Sequence, residues 1–470
     1  MNNPDNRNTG QIPSYITSAT PNPQGNRAAW SKNTAPTYAG IFLWFVFWMG
    51  ATQATNAGGV LSLGPGAAIL SLAFAALVCH VFYYVVLGIM GMKTGLPLYI
   101  VGTSTFGAKG GFIMPGFLMG VLQFGWLGVN IYFSSTALGA AFGIKNAQAI
   151  MIVWGVLAAF MGLKGIQYVA KVATYLPLIP LITLLVMFFK TAGGLGSFDP
   201  AAFVKLHQAT IANTPAPFDS FSLFAFLVTY VVGFFATAGA AGVDFGTNSR
   251  DERDVHLGGF VGVALAIIFT AGMAVLIVAG AYGNKEIAAK AAADGKVAMD
   301  AFSLIPIVLG SEAGKWIQFA LALAAFPSAC FSSLIAANSF KTTLSNVNPF
   351  VSVGIGTAVS ILLAISGKAA GLIPVFNVIG ASFGPICGAM AVDYIMAGCK
   401  WAGPRAGFNA AGWLAWGLGF VVGLMPNFGM PLPMAPVWAL VTGAVVYYFC
   451  AKAGLESAVL PLPAAKNQKP

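Results

Sequence analysis

The chain has 470 residues, of which 8% are charged and 58% hydrophobic, and its net charge is +10. A soluble domain carries roughly 25% charged residues, so this composition cannot build a water-facing surface; a soluble enzyme, a disordered chain and a nucleic-acid binder are excluded. The positive excess reads as topology, because Lys and Arg collect in the cytoplasmic loops of membrane proteins.

Residues 1–36 are polar, rich in Asn, Pro and Ser, and lack the charged-then-apolar order of a signal peptide. They are expected to form a disordered cytoplasmic tail. A crossing helix needs ~20 mostly apolar residues. Twelve runs qualify, near 37–63, 67–92, 112–142, 147–163, 166–190, 220–244, 256–281, 314–340, 349–366, 371–397, 409–425 and 433–452. The runs are continuous rather than alternating, so they are helices and not barrel strands. The expected fold is an all-α integral membrane protein with twelve transmembrane helices. Placing both termini inside puts fifteen of the 23 Lys and Arg residues on the inner side and eight outside. Six of those eight lie in or beside two long loops near 190–219 and 282–313, where charge counts for little. The expected location is the plasma (inner) membrane, with both termini cytoplasmic.

The first ten helices divide into two units of five. Residues 37–190 form the first repeat, 191–219 an outer loop, 220–397 the second repeat, 398–453 the last two helices and 454–470 a cytoplasmic tail. Five is odd, so the second unit starts from the opposite side and the repeats are inverted. The first helix of each unit carries a weak, small-residue stretch, Gly50 to Gly59 in one and Thr237 to Gly242 in the other. Discontinuous helices at matching positions point to a transporter's midplane site. Such residues also serve close packing alone, as Gly116/Gly120, Gly258/Gly262 and Gly419/Gly423 do in this reading. Gln53, Thr55 and Asn56 add polar groups that packing does not need.

Acidic residues are nearly absent from the span interiors; Asp244 and Asp393 fall at inner helix ends. That suits a neutral substrate. In the third run, Gln123 and Trp126 stand one turn apart on one helix face. An amide supplies a donor and an acceptor, and an indole supplies a flat face; together they suit a planar heterocycle. The alternative for Trp126 is a lipid-interface anchor. Phe235 and Thr237 flank the break in the sixth run, Phe235 as a cover for the ring's second face or as plain packing. In the eighth run Pro327 lacks an N–H and so frees the Leu323 carbonyl beside Ser328. This is either a cation site or a simple kink. His80 reads as a packed histidine, with proton coupling as the alternative. The five cysteines form no CxxC pair, and there is no Walker loop, HExxH or GxSxG. No metal centre, cofactor or ATP-driven chemistry is expected beyond a coupling ion.

Four ordered motifs carry a resemblance. Gly91-Met92-Lys93-Thr94-Gly95-Leu96 with Ser104-Thr105-Phe106-Gly107-Ala108-Lys109-Gly110 resembles the loop after the second helix in the nucleobase–cation symporter family that includes cytosine permease. Gln123-Phe124-Gly125-Trp126-Leu127-Gly128 resembles that family's third-helix motif. Ala238-Gly239 with Val243-Asp244-Phe245, and Pro385-Ile386-Cys387-Gly388 with Val392-Asp393-Tyr394, are similar to its sixth- and tenth-helix ends. The resemblance implies a LeuT-type fold, two inverted five-helix repeats plus two helices, working by alternating access. It implies that Gln123 pairs with the base edge, Trp126 stacks on it, Phe235 takes the other side and Thr237 lies nearby, where cytosine permease has Ser. It places the cation between the first and eighth helices, at backbone near Ala51 and Ala54 with Ser328 and Leu323. Cytosine permease has asparagines in mid-helix 8 where this chain has Pro327, Ser328, Ala329 and Cys330; Asn56 is the candidate replacement amide. The function expected is import of a neutral nucleobase with Na+ or H+, by a monomer or weak oligomer in the lipid bilayer. The rivals are the same fold carrying an allantoin- or hydantoin-like ring, a vitamin pyrimidine or an amino acid, and, from another class, a membrane enzyme or channel.

Overall fold

The computed structural model describes residues 12–293, 297–344 and 346–462. Among them the chain is helical, with two isolated backbone bridges, Ala28–Ser249 and Arg405–Val459. "Inner" below denotes the side on which residues 12 and 462 lie. α1 comes in two pieces, Thr34–Phe42 and Phe45–Gly50. α2 (Pro65–Thr94) and α3 (Phe112–Phe142) follow, then the shorter α4 (Gln148–Lys164) and α5 (Leu178–Ser197). The second unit comprises α6 (Ser220–Ala240), α7 (Glu252–Gly283), α8 (Ser311–Thr343), the shorter α9 (Pro349–Ile365) and α10 (Leu372–Met396); α11 (Ala410–Phe428) and α12 (Ala435–Lys452) complete the bundle. Nine of these are long and apolar enough to cross a membrane by length and composition. Leu70, Phe189, Ile355 and Leu362 stand 64–74% exposed, a surface that lipid solvates and water does not. Helices meet the matching demand that every backbone group be bonded internally.

Local chemistry sets the helix ends. Asp219 caps α6, accepting from the Phe221 and Ser222 amides at 2.9 Å. Gly95 takes φ 65° and closes α2, a left-handed cap that favours glycine. The second helix of each unit carries a π-turn, Cys79–Val85 in α2 and Phe260–Leu265 in α7, and the two turns pack together, with the His80 and Phe260 rings 6.1 Å apart. Matching irregularities at matching places are what an inverted repeat predicts. At the inner end α2 and the Gly242–Gly246 extension of α6 meet backbone to backbone: a Cβ on Gly91 would lie 1.9 Å from the Val243 carbonyl.

Two expectations change. Residues 12–33 are ordered rather than a loose tail: Asn22 donates to the Thr247 carbonyl at 3.0 Å and Arg27 to the Met92 carbonyl at 2.9 Å. These carbonyls are orphaned at helix ends, so the tail's polar side chains have acceptors to satisfy; residues 1–11 and 463–470 lie outside the described residues. The first helix breaks earlier than its glycines suggest, at Leu43–Trp44, and only ends at Gly50. Trp48 Nε1 donates to the Leu43 carbonyl at that break at 3.2 Å, and the Tyr230 hydroxyl bonds the Phe47 carbonyl of the second piece at 2.7 Å. α8 runs through Pro327 as one continuous helix.

Candidate functional site

α3 is the rigid side of the site. Ser360 of α9 donates to the Phe124 carbonyl at 2.7 Å. Asn130, 2% exposed, donates to the Ala325 carbonyl of α8 at 3.0 Å and accepts from Trp154 Nε1 of α4 at 3.1 Å. Three helices, α4, α8 and α9, are thereby tied around the middle of α3, and Trp126 is left toward α1, α6 and α10.

Trp126 meets those three helices. Its indole N–H donates to Thr237 Oγ1 of α6 at 3.1 Å. Its ring lies 6.0 Å from Trp44 at the α1 break, 5.1 Å edge-on from Phe234 of α6, and 5.6 Å from Phe376 of α10. Gln123 is buried one turn away, and its only hydrogen bond among the described residues is a long one to Met119 Sδ at 3.6 Å. Trp44 Nε1 is also buried with no partner. The cluster is therefore aromatic and neutral. Among its polar groups, the carboxamide and the Trp44 indole N–H have no firm protein partner.

The other sequence candidates fall elsewhere. Phe235 is fully buried and stacks on Phe42 at 5.8 Å, with Tyr38 at 5.6 Å, so it packs into the α1 side and its neighbour Phe234 faces Trp126. Asn56 lies at the outer end, where its amide donates to the Ala216 carbonyl at 2.7 Å. Ala51 and Ala54 are buried at the outer end of α1, and Ala54 lines a cavity there. On α8 the Leu323 and Ser328 side chains are exposed. Trp126 and Thr237 are thus brought together with Gln123 one turn away; Asn56 is not part of that cluster, and the candidate cation ligands are divided between the outer end of α1 and the exposed face of α8. Trp44, Phe234 and Phe376 were not anticipated. The only available signal was aromatic density, which is high throughout this chain, with 37 phenylalanines and 10 tryptophans.

Residues 21–400 match the family model described as permease for cytosine/purines, uracil, thiamine and allantoin. The cytosine permeases of Escherichia coli strains K12 and O157:H7 are each 25% identical over 393 residues, spanning 82% of this chain and 84% of theirs. Among solved structures, the inward-facing conformation of Mhp1 superposes with a TM-score of 0.69 at 17% identity, covering 94% of this chain and 95% of that one. Mhp1 in a closed conformation with bromovinylhydantoin bound, described as a nucleobase-cation-symport-1 family transporter, gives 0.64 at 15% identity, covering 94% and 97%. A Na+-coupled sialic acid symporter gives 0.55 at 12% identity, covering 92% of both chains. Helical architecture, a break in the first helix and a family match over most of the length agree: the chain belongs to the cytosine/purine, uracil, thiamine and allantoin permease family and is a multi-pass membrane transporter, not an enzyme.

Proposed function

We propose that this transporter carries a neutral nucleobase-type ring inward together with a cation, Na+ or H+, by alternating access. The observation that carries the reading is the buried, weakly partnered Gln123 carboxamide one turn from the Trp126 ring. An indole face gives affinity to any flat ring, and an amide edge reads its pattern of donors and acceptors. The Trp44 N–H supplies a second donor, suited to a ring carbonyl. With no carboxylate in the cluster, a neutral ring is favoured over a charged one. Phe234 and Phe376, beside Trp126, are the residues we assign to the ring's other contacts. The bound hydantoin of one fold neighbour keeps allantoin- and hydantoin-like rings as the second reading.

A single positive charge moving inward gains ~2.3 kcal/mol per 100 mV of membrane potential, enough to concentrate a neutral partner. We place the cation on the α1 backbone, with Ala51 and Ala54 as the candidate carbonyls. Leu323 and Ser328 join only if the middle of α8 turns toward α1 during the cycle. We assign both termini to the cytoplasm, which the positive-inside bias favours, and the chain to the plasma (inner) membrane as a monomer or weak oligomer. The deciding experiment is a competition panel of radiolabelled bases and hydantoins in a transport-deficient host, with and without a Na+ gradient. Saturable uptake of a nucleobase that depends on one cation gradient is expected; uptake of none of the rings would remove the reading. Ser328→Ala tests the α8 contribution: a raised half-saturating cation concentration supports it, and an unchanged one limits the cation to α1.

A further inference from the structure

We propose that the outer cavity is a second binding site for the same class of ring, occupied before the Trp126 site, and that Asp300 selects there for bases bearing an amino group. The inference rests on the nucleobase reading above. The cavity measures about 310 Å³ and lies between the outer end of α1, α6, the start of α10 and the loop preceding α8. That is within the range of small-molecule sites, ~300–1,000 Å³. Its walls include Gln53, Thr55, Met299, Asp300 and Leu372, and its aromatic wall is Tyr230. Tyr230 is 1% exposed, its hydroxyl bonds the Val46 and Phe47 carbonyls and its ring stacks on Phe47 at 5.9 Å, so the groups free to recognise a ligand are those of Gln53, Thr55 and Asp300. Beyond Tyr230 lies a single aromatic layer: its ring is 5.2 Å from Phe376, and Phe376 is 5.6 Å from Trp126. The cavity therefore abuts the neutral cluster and does not include it.

Among the described residues Asp300 is the one acid lining this cavity, and it is 8% exposed. It caps the loop helix Ala301–Leu309, accepting from the Ser303 amide at 2.7 Å and the Ser303 hydroxyl at 2.8 Å. Its remaining side-chain partner is Gln53, an exposed residue, at 3.4 Å, a distance at which a hydrogen bond is weak. An aminopyrimidine or aminopurine has adjacent amino and ring-nitrogen positions that can displace this contact. Its N–H donates to the carboxylate, and the freed Gln53 amide can answer the ring. A ring bearing only carbonyl groups on that edge gains less, because a carboxylate accepts and never donates.

The test is equilibrium binding of radiolabelled cytosine, with uracil as the amino-free comparison, to the purified full chain and to three variants. The wild type should bind cytosine at two sites. Trp126→Ala should retain one weaker site, and Asp300→Asn in that background should lower its cytosine affinity by roughly 5–10-fold with a smaller effect on uracil. Asn caps a helix about as well as Asp, so Asp300→Asn keeps the loop folded. Gln53→Ala, at an exposed position, should shift the same site in the same direction. A single cytosine site in the wild type, or an Asp300→Asn variant that leaves the Trp126→Ala site unchanged, overturns the proposal while the function stands. Binding of neither base to the wild type overturns the nucleobase reading and the proposal with it.

Discussion

At the residue scale the proposed substrate contacts centre on Trp126. Base–aromatic stacking is worth ~1–3 kcal/mol per base by alanine substitution, so Trp126→Ala should weaken substrate binding by roughly 5- to 150-fold and abolish saturable uptake at low substrate. The variant should still insert and fold, because the Asn130 and Ser360 bonds that hold α3 are untouched; uptake at unaltered affinity would remove the stacking model. The neighbouring phenylalanines give a sharper test. Phe234 faces Trp126, whereas Phe235 is sealed against Phe42 and Tyr38. Phe234→Ala should therefore lower apparent substrate affinity as well as stability, since the ring is also packed on Phe47 at 4.6 Å. Phe235→Ala should act mainly on thermal stability, by ~3–5 kcal/mol for a large core truncation. The opposite pattern in uptake kinetics and melting curves would reverse the assignment.

At the scale of elements, α1 is held open and not simply left irregular. Its outer turn is fixed by the loop helix Pro200–Thr210, where His207 Nδ1 accepts the Gly58 N–H at 3.0 Å. This bond requires a neutral imidazole with its proton on Nε2. Burial holds His207 below its ordinary pKa of 6.5. The folded state thus binds fewer protons than the unfolded one in mild acid. The contribution of His207 is complete above about pH 6.5 and is lost as pH falls below that value. Melting temperature of the purified protein should decline from pH 7.5 to pH 5, and His207→Gln should flatten that slope; an identical slope in the variant would exclude the residue as its source. The Asn130 node is the matching element on the rigid side. Asn130→Ala leaves the Trp154 N–H without a partner deep in the bundle, and a loss of ~1–3 kcal/mol is expected in thermal stability.

At the scale of the whole molecule, a chain with few charges gathers several of them at one inner junction. Arg405 bonds Asp393 of α10 at 3.0 Å and Glu456 of the C-terminal segment at 2.7 Å, and Tyr447 of α12 bonds both carboxylates. Ser104 and Thr105 from the α2–α3 connection donate to the other Asp393 oxygen at 2.6 and 2.9 Å. The junction ties the end of the second repeat to the first repeat and to the last helices. Buried ion pairs add little net stability, but removing one partner strands the other charge at a cost of ~3–5 kcal/mol. Arg405→Met should therefore lower expression and melting temperature sharply, and adding Asp393→Asn should restore part of the loss. Two additive losses would mean that the pair acts through separate contacts.

The sequence by itself determined what composition and periodicity can determine. Charge scarcity required lipid as solvent, unbroken apolar runs required helices, and the matched weak stretches near Gly50 and Gly239 indicated two related halves. Gln123 and Trp126 stood out as candidates because a polar amide and an indole one turn apart in mid-span are conspicuous against an apolar background. Three things were decided only by tertiary structure. The α1 break at Leu43–Trp44 contains no Gly or Pro; the Leu43 carbonyl it frees is taken by the Trp48 indole, and Tyr230, from another helix, holds the piece beyond it through the Val46 and Phe47 carbonyls. Phe234 and Phe235 are chemically identical and about 100° apart on the helix, so only packing shows which one faces Trp126. The tail after residue 11 looks unable to fold on composition, yet it is ordered because helix ends elsewhere in the chain present carbonyls without partners. Local pattern fixes which solvent a segment tolerates, but the placing of a ring or a broken turn depends on partners that are distant in sequence, and these are set by the assembled bundle.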